Sequence, residues 1–345
     1  MIEPIIMNKD FERIAVVDDY SSLIWTTRYY TCGDFEIVVP ADTDHISLMQ
    51  IGYYVMRDDD EHVGIIENTQ MSVDEDNNEQ MLVTGRFLSS ILGRRIIAVQ
   101  TQLYGTISAG ISNLINDAII NPTVTARKIS NFRVLQTNFT DRLDAQYTGK
   151  NLLEVIEDVC QTNHIGFGTT LEDGEFVFTL YKGVDRSYNQ IENPYVVFSD
   201  EYDNLLSSTY EEQSSDLITD VLVAGEGEGL DRKTIWASRE NLTGLDRYEM
   251  YHDQRNMSTN DGNVSDEDYK QQMLEEGLEQ ITTITKAFDG TVYFDNIKYR
   301  EDVNVGDVVV IENKNWGIYI NTRLIEVIES VDEAGSYQIV PTFGA

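Results

Sequence analysis

The chain has 345 residues, with 60 Asp and Glu against 25 Lys and Arg, so its formal net charge is -35. A hydrophobic fraction of 41% and an aromatic fraction of 10% are typical of a packed globular protein and exclude a disordered acidic chain. The length exceeds the roughly 250 to 300 residues that one core usually supports, which predicts two to four modules of about 100 residues.

The sequence shows no sign of export or membrane insertion. No segment has the roughly 20 consecutive apolar residues of a membrane span, and the opening MIEPIIMNKD lacks the basic start and apolar run of a secretory signal. We expect a soluble protein made in the cytoplasm, with no stable membrane insertion. Cys32 and Cys160 are far apart, so we expect two buried thiols and neither a disulfide framework nor a thiolate zinc site within one chain.

The acidic charge bears on nucleic-acid binding. Tight binding requires clustered cations, and the longest basic cluster is the pair Arg94 and Arg95, so we expect no specific grip on DNA. A channel through which DNA passes without adhering would favour this sign of charge. The alternative, that the acidity only supplies solubility or adaptation to salt, stays open.

The first segment, residues 1–98, has short β-branched and aromatic runs separated by turn residues, a pattern typical of a small β-barrel. The hairpin predicted at its centre joins Tyr53–Arg57 to Val63–Glu67 through an acidic turn. The other predicted strands are Phe35–Val39, Met81–Thr84 and Arg94–Val99.

The middle segment, residues 99–184, is predicted to be an α+β domain. Apolar residues at helical spacing predict one helix from Ser108 to Asn121 and a second from about Lys150 to Thr162. Two strands follow, Ile165–Thr170 and Glu175–Tyr181.

The last segment, residues 185–345, is predicted to be a second small β-barrel. Its helical insertion, at about residues 240–288, contains a helix that starts at a capping box of Ser265 and Asp268 and runs to about Phe288. The predicted strands are Tyr195–Phe198, Leu205–Glu212, Leu217–Ala224, Thr234–Ser238, Thr291–Tyr299, Asp307–Glu312, Trp316–Asn321, Arg323–Glu329 and Tyr337–Thr342. The predicted class is therefore α+β, mainly β.

Several motifs along the chain resemble the tail hub proteins of long-tailed phages of Gram-positive hosts. Each motif is weak alone, but their order and spacing are specific and extend over nearly the whole length. They are Trp25, Tyr29 and Tyr30; Gly33-Asp34-Phe35-Glu36 ending at Pro40; Arg57-Asp58-Asp59-Asp60; Gly64-Ile65-Ile66-Glu67; Gly85-Arg86 with Leu92, Arg94, Arg95 and Ile96; Gly149-Lys150-Asn151-Leu152-Leu153; Gly225 to Gly229 with Arg232; Val305-Gly306-Asp307-Val308; Trp316-Gly317-Ile318; Thr322-Arg323; and Pro341-Thr342-Phe343-Gly344.

The resemblance implies a siphovirus baseplate hub of the Tal-like type, similar to contractile-tail hubs and to the N-terminal part of type VI secretion spikes. Such hubs are homotrimers in which two tube-type barrels per subunit form a ring of six similar units. The implied partners are the distal tail protein ring, the tape measure protein and tail fibre or receptor-binding proteins. The implied location is the tail tip of the virion, where DNA passes without specific binding.

No catalytic, cofactor-binding or metal-binding residue is predicted, and we expect no enzyme. His45, His62, His164 and His252 form no HExxH motif and no zinc-ligand spacing. Cys160 and His164 lie four residues apart, but a packed thiol and a helix-capping histidine explain them better than a nucleophile and its base.

Two further patterns partly resemble ligand-binding loops. Gly225, Gly227 and Gly229 alternate with glutamates that would repel phosphate, so a bend between strands is expected rather than a phosphate loop. Asp74, Asp76 and Asn78 have partial calcium-loop spacing without the glycine and the closing glutamate, which favours a solvated hairpin tip.

Two functions stay open from the sequence. The first is a structural, trimeric tail hub. The second is a β-rich polysaccharide or peptidoglycan hydrolase with a carboxylate pair, which 60 acidic residues would produce by chance in many arrangements.

Overall fold

The computed structural model describes residues 2–73, 77–258, 264–292, 294 and 296–344, without the side chains of residues 287–292. The chain forms two compact units: the first is Met1–Ser208 with Asp289–Ala345, and the second is Thr209–Phe288. Strands predominate and helices are interspersed among them, which confirms the mainly β, α+β class.

The first third of the chain is β structure with one short helix. The strands are β1 Ile5–Met7, β2 Arg13–Val16, β3 Ser22–Arg28, β4 Asp34–Pro40, β5 Tyr54–Arg57, β6 Asp60–Val73 and β7 Glu79–Phe87, with helix α1 Thr43–Leu48 between β4 and β5. The predicted strand Arg94–Val99 is wrong. Leu88–Arg94 forms a 3-10 helix, and the following backbone bonds to residues 149–152 instead of to a neighbouring strand.

The middle third alternates strands and helices. Its elements are β8 Thr101–Thr106, α2 Ile107–Ile115 with a π turn Asn116–Ile120, a 3-10 turn Thr125–Arg127, β9 Phe132–Val134, β10 Arg142–Tyr147, α3 Leu152–Thr162, β11 Gly166–Glu172 and β12 Glu175–Tyr181. The apolar faces of α2 and α3 are buried in one core with β11 and β12, as the helical spacing predicts.

The last third begins with strands, continues into the second unit and returns to the first. Its elements are β13 Val197–Ser199, a 3-10 turn Asp200–Tyr202, β14 Leu205–Gln213, β15 Asp220–Ala224, a 3-10 turn Gly229–Asp231, β16 Thr234–Ser238, a 3-10 turn Gly244–Asp246, β17 Glu249–Asp253, α4 Asp266–Glu279, β18 Thr285–Val292, β19 Val308–Asn313, β20 Ile318–Val331 and β21 Tyr337–Gly344. The two strands predicted at 316–321 and 323–329 are one strand, β20, because Thr322 and Arg323, at the predicted break, stay paired with β19.

Eleven strands from both ends of the chain form one sheet. Its order is β13-β19-β20-β3-β4-β7-β6-β5-β1-β2, with β21 also paired to β20. The antiparallel pairing of β20 with β3 joins the two predicted barrels, and the described strands form no closed barrel. The two-barrel arrangement and the boundaries at residues 98 and 184 therefore stay predictions.

The second unit is a small sheet covered by α4. Its sheet has the order β16-β15-β17, and the predicted insertion at 240–288 lies within the unit, which begins earlier, inside β14. Residues 259–263 of the predicted insertion lie outside the described residues. Ser265 caps α4 as expected, since its hydroxyl accepts from the Asp268 backbone N–H.

The predicted end of this helix at Phe288 is wrong. α4 stops at Glu279, because the β-branched residues that follow favour extended backbone and Thr282 bonds to Ile218 at both its backbone and its hydroxyl. The predicted strand Thr291–Tyr299 overlaps β18 only at its first two residues.

One face of α4 is buried against the sheet. Tyr269, Met273 and Gly277 face the sheet. A Cβ at Gly277 would lie 2.5 Å from the Ala237 side chain and 2.7 Å from that of Val223. The absence of a side chain at Gly277 therefore lets the helix approach the sheet closely.

Candidate functional site

A largely buried group of four charged residues and one tryptophan joins strands from the two ends of the chain. We call it the ionic cluster, and its residues are Trp25, Arg57, Asp60, Arg300 and Glu329. β3 pairs with β20 so that Trp25 lies opposite Glu329, and the tight β5–β6 hairpin pairs Arg57 with Asp60. Strand register thus brings Arg57 to Glu329 although they are 272 positions apart.

Glu329 is the centre of the cluster and is fully buried. Arg57 donates to its two carboxylate oxygens from Nη1 and Nη2, each at 3.1 Å, and Arg57 is only 1% exposed. Arg300 Nη1 donates at 3.0 Å and the Tyr337 hydroxyl at 2.6 Å. Arg57 also binds Asp59, from Nε at 2.9 Å and from Nη2 at 2.6 Å. Each guanidinium is therefore held by charge-assisted hydrogen bonds.

Asp60 is the second buried carboxylate of the cluster. It accepts from the indole Nε1 of Trp25 at 2.7 Å and from Arg300 Nη2 at 2.5 Å. His62 Nδ1 lies 2.6 Å from its other oxygen. Three side chains from three separate segments of the chain thus converge on one carboxylate, which ties the hairpin to the C-terminal strands.

The cluster keeps its carboxylates ionised. Burial alone would raise the pKa of Asp60, but the charge and hydrogen bond of His62 and the charge of Arg300 hold it far below its usual range. For Glu329, burial is likewise outweighed by the Arg300 hydrogen bond and the Arg57 and Arg300 charges, which lower its pKa. Burial alone would lower the pKa of His62, but the Asp60 charge raises it above 6.5.

These shifts predict how the cluster's contribution to stability depends on pH. Depressed carboxylate pKa values stabilise the fold above the unfolded values near 4, and this stability is lost as pH falls. The raised His62 pKa stabilises the fold below pH 6.5, and this contribution is lost as pH rises through the folded value. The contribution is therefore greatest between about pH 4.5 and 6.5.

Urea unfolding of wild type and His62→Gln at several pH values measures the histidine part. We expect the loss of unfolding free energy in the variant to be larger at pH 6 than at pH 9, with a slope of at most about 1.4 kcal/mol per pH unit. His252→Gln, in the second unit, is the control. A pH-independent difference for His62→Gln would contradict the charged pair with Asp60.

A cleft of about 590 Å³ opens beside the cluster. Residues from the hairpin, from the segment after β12 and from the segment before β19 line it, among them Asp60, His62, Tyr181, Gly183, Arg300 and Asp307. A hydrolytic carboxylate pair requires one carboxyl with a raised pKa to act as the acid. Asp60 is held ionised, and Asp307 accepts from Arg186 Nε at 2.8 Å and from the Val184 N–H at 2.7 Å. Asp60 therefore does not have the raised pKa that a general acid requires.

Carboxyls with a raised pKa lie elsewhere. Burial raises the pKa of Glu157, which accepts from the Cys32 backbone N–H at 3.0 Å, and burial also raises that of Glu279. Glu157 is on α3 of the first unit and Glu279 is at the end of α4 in the second. Neither belongs to the cleft, so these two residues do not complete a catalytic pair there.

Tyr29 forms a second junction, at the end of β3, and is fully buried. Its hydroxyl donates to the His164 carbonyl at 3.2 Å and accepts from the Gly183 N–H at 3.3 Å. A Cβ at Gly166 or Gly306 would lie about 2.3 or 2.4 Å from its ring. The absence of side chains at Gly166 and Gly306 leaves room for the Tyr29 ring, which contacts the first, middle and last segments of the chain.

Cys160, His164 and His45 each occupy a packed or hydrogen-bonded position in the first unit. Cys160 is fully buried in the core with α2 and α3, and burial raises its pKa to about 12. His164 follows α3, and its Nδ1 lies 3.2 Å from the Tyr30 hydroxyl. His45 lies between Asp19 and Asp42, each at 3.0 Å. These contacts are structural, and they leave Cys160 without the activation that a nucleophile requires.

The two other patterns that partly resemble ligand sites are the glycine loop at residues 225–229 and the acidic tip at residues 74–78. Gly225 lies against α4, since a Cβ there would be 2.1 Å from the Tyr269 hydroxyl, which accepts from the Glu226 N–H at 2.8 Å. Gly227 adopts a φ of +98, as a bend requires. In the acidic tip, Asp74 and Asp76 lie outside the described residues.

The surface keeps most of the acidic charge. At least fifteen of the 25 Lys and Arg side chains form ion pairs in the described part of the chain. Acidic residues outnumber basic ones by more than two to one, so many carboxylates have no cation to neutralise them. In the described residues, every helix is too short or too polar to cross a bilayer.

Comparison with known proteins connects this fold to phages. The model of the family described as Siphovirus ReqiPepy6 Gp37-like protein matches residues 3–345. The chain belongs to this siphovirus family. The resemblance noted in the sequence is thereby confirmed at the level of the family. No curated protein sequence matches the chain.

Solved structures with the same fold include tail proteins and a chain of a VgrG complex. The tail protein from Neisseria meningitidis MC58 is 15% identical, with a TM-score of 0.59 over 99% of this chain and 96% of that one. The 43 kDa tail protein of prophage MuSo2 from Shewanella oneidensis is 11% identical, with a TM-score of 0.59 over 99% and 98%. A chain of the Francisella PdpA–VgrG complex is 9% identical, with a TM-score of 0.54 over 99% and 57%. The member of the Gp37-like family thus has the fold of phage tail proteins.

Proposed function

We propose that this protein is the structural hub at the tail tip of a siphovirus virion. Three copies form a ring that closes the end of the tail tube, with two β portions per copy, residues 1–98 and 185–345, giving six similar units around the axis. The observation that carries the proposal is the agreement in fold with phage tail proteins over the whole chain.

The charge supports a passage for DNA. A trimer has a formal charge of -105, three times -35. Because most cations are already in ion pairs, carboxylates dominate the field around the ring. A wall of this sign repels phosphate and leaves DNA without sites of adhesion during ejection.

The partners follow from the position in the tail. The six β portions of the ring bind the distal tail protein ring above them. The tape measure protein ends in the lumen of the ring. Tail fibre or receptor-binding proteins attach to the outside of the ring. The protein is made in the bacterial cytoplasm and assembled into the virion there, without stable membrane insertion.

The proposed role is non-enzymatic. The alternative, a polysaccharide or peptidoglycan hydrolase, requires a carboxyl with a raised pKa opposite an ionised one. Asp59 and Asp60, which line the 590 Å³ cleft, have lowered pKa values, so neither is the acid that this alternative requires.

Antibody labelling of intact virions tests the proposed location. Gold-labelled antibodies raised against this chain are applied to purified particles, with antibodies against the major capsid protein as the control. We expect label at the tail end farthest from the capsid. Label confined to the capsid, or label spread evenly along the tail, would contradict the proposal.

A further inference from the structure

The three-stranded sheet of the second unit has one face against α4 and one face away from it. Val221 and Val223 of β15 pack in one core with Tyr269 and Met273 of α4. Side chains along a strand point alternately to the two faces of its sheet. Leu222, which lies between the two valines, is therefore on the face opposite α4. We call this the open face.

Two aromatic side chains flank Leu222 on the open face. The register of the sheet pairs Leu222 with Trp236 of β16 on one side and with Tyr251 of β17 on the other. Residues paired in this way have their side chains on the same face of the sheet. Trp236 is 44% exposed and Tyr251 is 54% exposed, while Leu222 is half-buried. We call these three residues the aromatic row.

Arginines hold both rings of the aromatic row in place. Arg247 lies over the indole of Trp236, with its Cζ 4.7 Å from the ring centre. Arg232 donates from Nη1 to the Tyr251 hydroxyl at 2.9 Å and from Nε to the Gly225 carbonyl at 3.0 Å. Because the two rings are already restricted, a ligand that stacks on them costs little side-chain entropy.

The charges beside the aromatic row are paired and balanced. Three arginines and three carboxylates form the ion pairs Arg232–Asp253, Arg255–Asp253, Arg247–Asp220 and Arg247–Glu249. These groups have no net charge, so they do not favour a charged polymer over a neutral one. Glu249 is 52% exposed and Arg255 is 71% exposed. The row is therefore bordered by accessible acceptors and donors of hydrogen bonds.

The size of the aromatic row suits a small, flat ligand. An aromatic side chain has roughly 150–250 Å² of surface, so the exposed parts of Trp236 and Tyr251 amount to roughly 200 Å². A standard protein interface buries about 800 Å² on each partner. Neighbouring strands lie about 4.8 Å apart, so the backbones that carry the two rings are roughly 10 Å apart across β15. This distance is the length of two sugars in an extended, β-linked hexose chain.

We propose that the aromatic row binds a neutral, β-linked polysaccharide. Pyranose rings have apolar C–H faces that stack on aromatic rings, and their hydroxyl groups both donate and accept hydrogen bonds. The first and third sugars of a chain that crosses the strands stack on Tyr251 and Trp236, and the second lies above Leu222. Glu249 and Arg255 bond to the hydroxyl groups. The inference gives the second unit a binding function, whatever the number of copies in the hub.

Native gel electrophoresis in gels that contain a polysaccharide tests the proposal. The probe is hydroxyethylcellulose, a soluble and neutral β-linked glucan, and dextran sulfate is the anionic comparison. We expect hydroxyethylcellulose to slow the migration of the wild-type chain and dextran sulfate to leave it unchanged. Trp236→Ala and Tyr251→Ala are each expected to weaken the binding by at least about fivefold. Tyr251→Phe keeps the ring and is expected to bind like the wild type.

Trp316→Ala is the matched control, because Trp316 is 49% exposed and lies between β19 and β20 in the first unit. We expect this variant to bind like the wild type and all variants to unfold at the wild-type urea midpoint.

Three results would overturn the proposal: unchanged migration of the wild type in hydroxyethylcellulose, an equal loss of binding in Trp316→Ala, or equal slowing by dextran sulfate. If Trp236→Ala weakens self-association in sedimentation but keeps the polysaccharide binding, the row is a contact between copies and the proposal is wrong. Each of these results concerns the second unit alone, whereas the labelling of virions tests the tail-tip location separately.

Discussion

Replacing Glu329 by glutamine is expected to lower the free energy of unfolding by about 3–5 kcal/mol. The substitution keeps the shape of the side chain but removes the negative charge that neutralises Arg57 and Arg300. Arg57 is buried and its pKa is raised, so it cannot escape by losing its proton. Arg57 keeps Asp59 and Arg300 keeps Asp60, but both guanidiniums lose the carboxylate that they share, and removing one partner of a buried ion pair is strongly destabilising.

Urea unfolding followed by tryptophan fluorescence measures this loss, and Trp25 in the cluster provides a local probe. The matched control is Glu67→Gln, which also removes a carboxylate paired with an arginine. That arginine, Arg86, is half exposed, so the expected loss is below about 1 kcal/mol. Equal losses for the two variants would show that the ionic cluster is not the main electrostatic link between the ends of the chain.

Replacing Gly183 by alanine is the second change expected to be large, with a loss of at least about 2 kcal/mol. A Cβ at this position would lie 1.8 Å from the Gly306 carbonyl oxygen and 2.5 Å from the Asp307 backbone nitrogen. Both are main-chain atoms, so no side-chain rotation relieves the overlap. The segments after β12 and before β19 must separate, which also disturbs the hydrogen bond between Gly183 and Tyr29.

Gly168→Ala is the matched control for this variant. Gly168 lies in β11, where an added Cβ would meet no atom within 4 Å and the backbone is not left-handed. We expect its stability to change by less than about 1 kcal/mol, with a gain possible from the lower entropy of the unfolded chain. A Gly183→Ala protein as stable as Gly168→Ala would contradict the close packing of the two segments.

The sequence alone predicts both helices and the last two strands of the middle third, but it does not predict β8, β9 or β10. Ile111, Leu114 and Ile115 recur at helical spacing in α2, as do Leu152 and Ile156 in α3, and all are buried. Here one buried face and a turn residue at each end determine the element. The register of β11 against β12 likewise follows from the Asp173-Gly174 turn.

Long-range pairing is what the sequence does not show. The joining of β20 to β3 depends on two strands at opposite ends of the chain, and neither carries a local mark of its neighbour. This pairing is why the predicted barrels are joined in one sheet. Local patterning specifies which face of a strand is buried, but not which strand lies beside it.

The ionic cluster leaves one trace in the sequence. In β20, Val327, Glu329 and Val331 alternate as buried positions, so a glutamate occupies an inward-facing site between two valines. Such a residue requires a buried cation. The motif Arg57 to Asp60 was noted for its resemblance only, and Arg300 has no sequence pattern that identifies it as the partner.

Cryo-electron microscopy of the virion's tail tip tests the central claim most directly. The account predicts three copies of this chain in a closed ring around an open axis, with carboxylates lining the lumen and the distal tail ring directly above. A map in which the chain is a single copy off the axis, or in which it blocks the axis without a passage for DNA, would contradict the account.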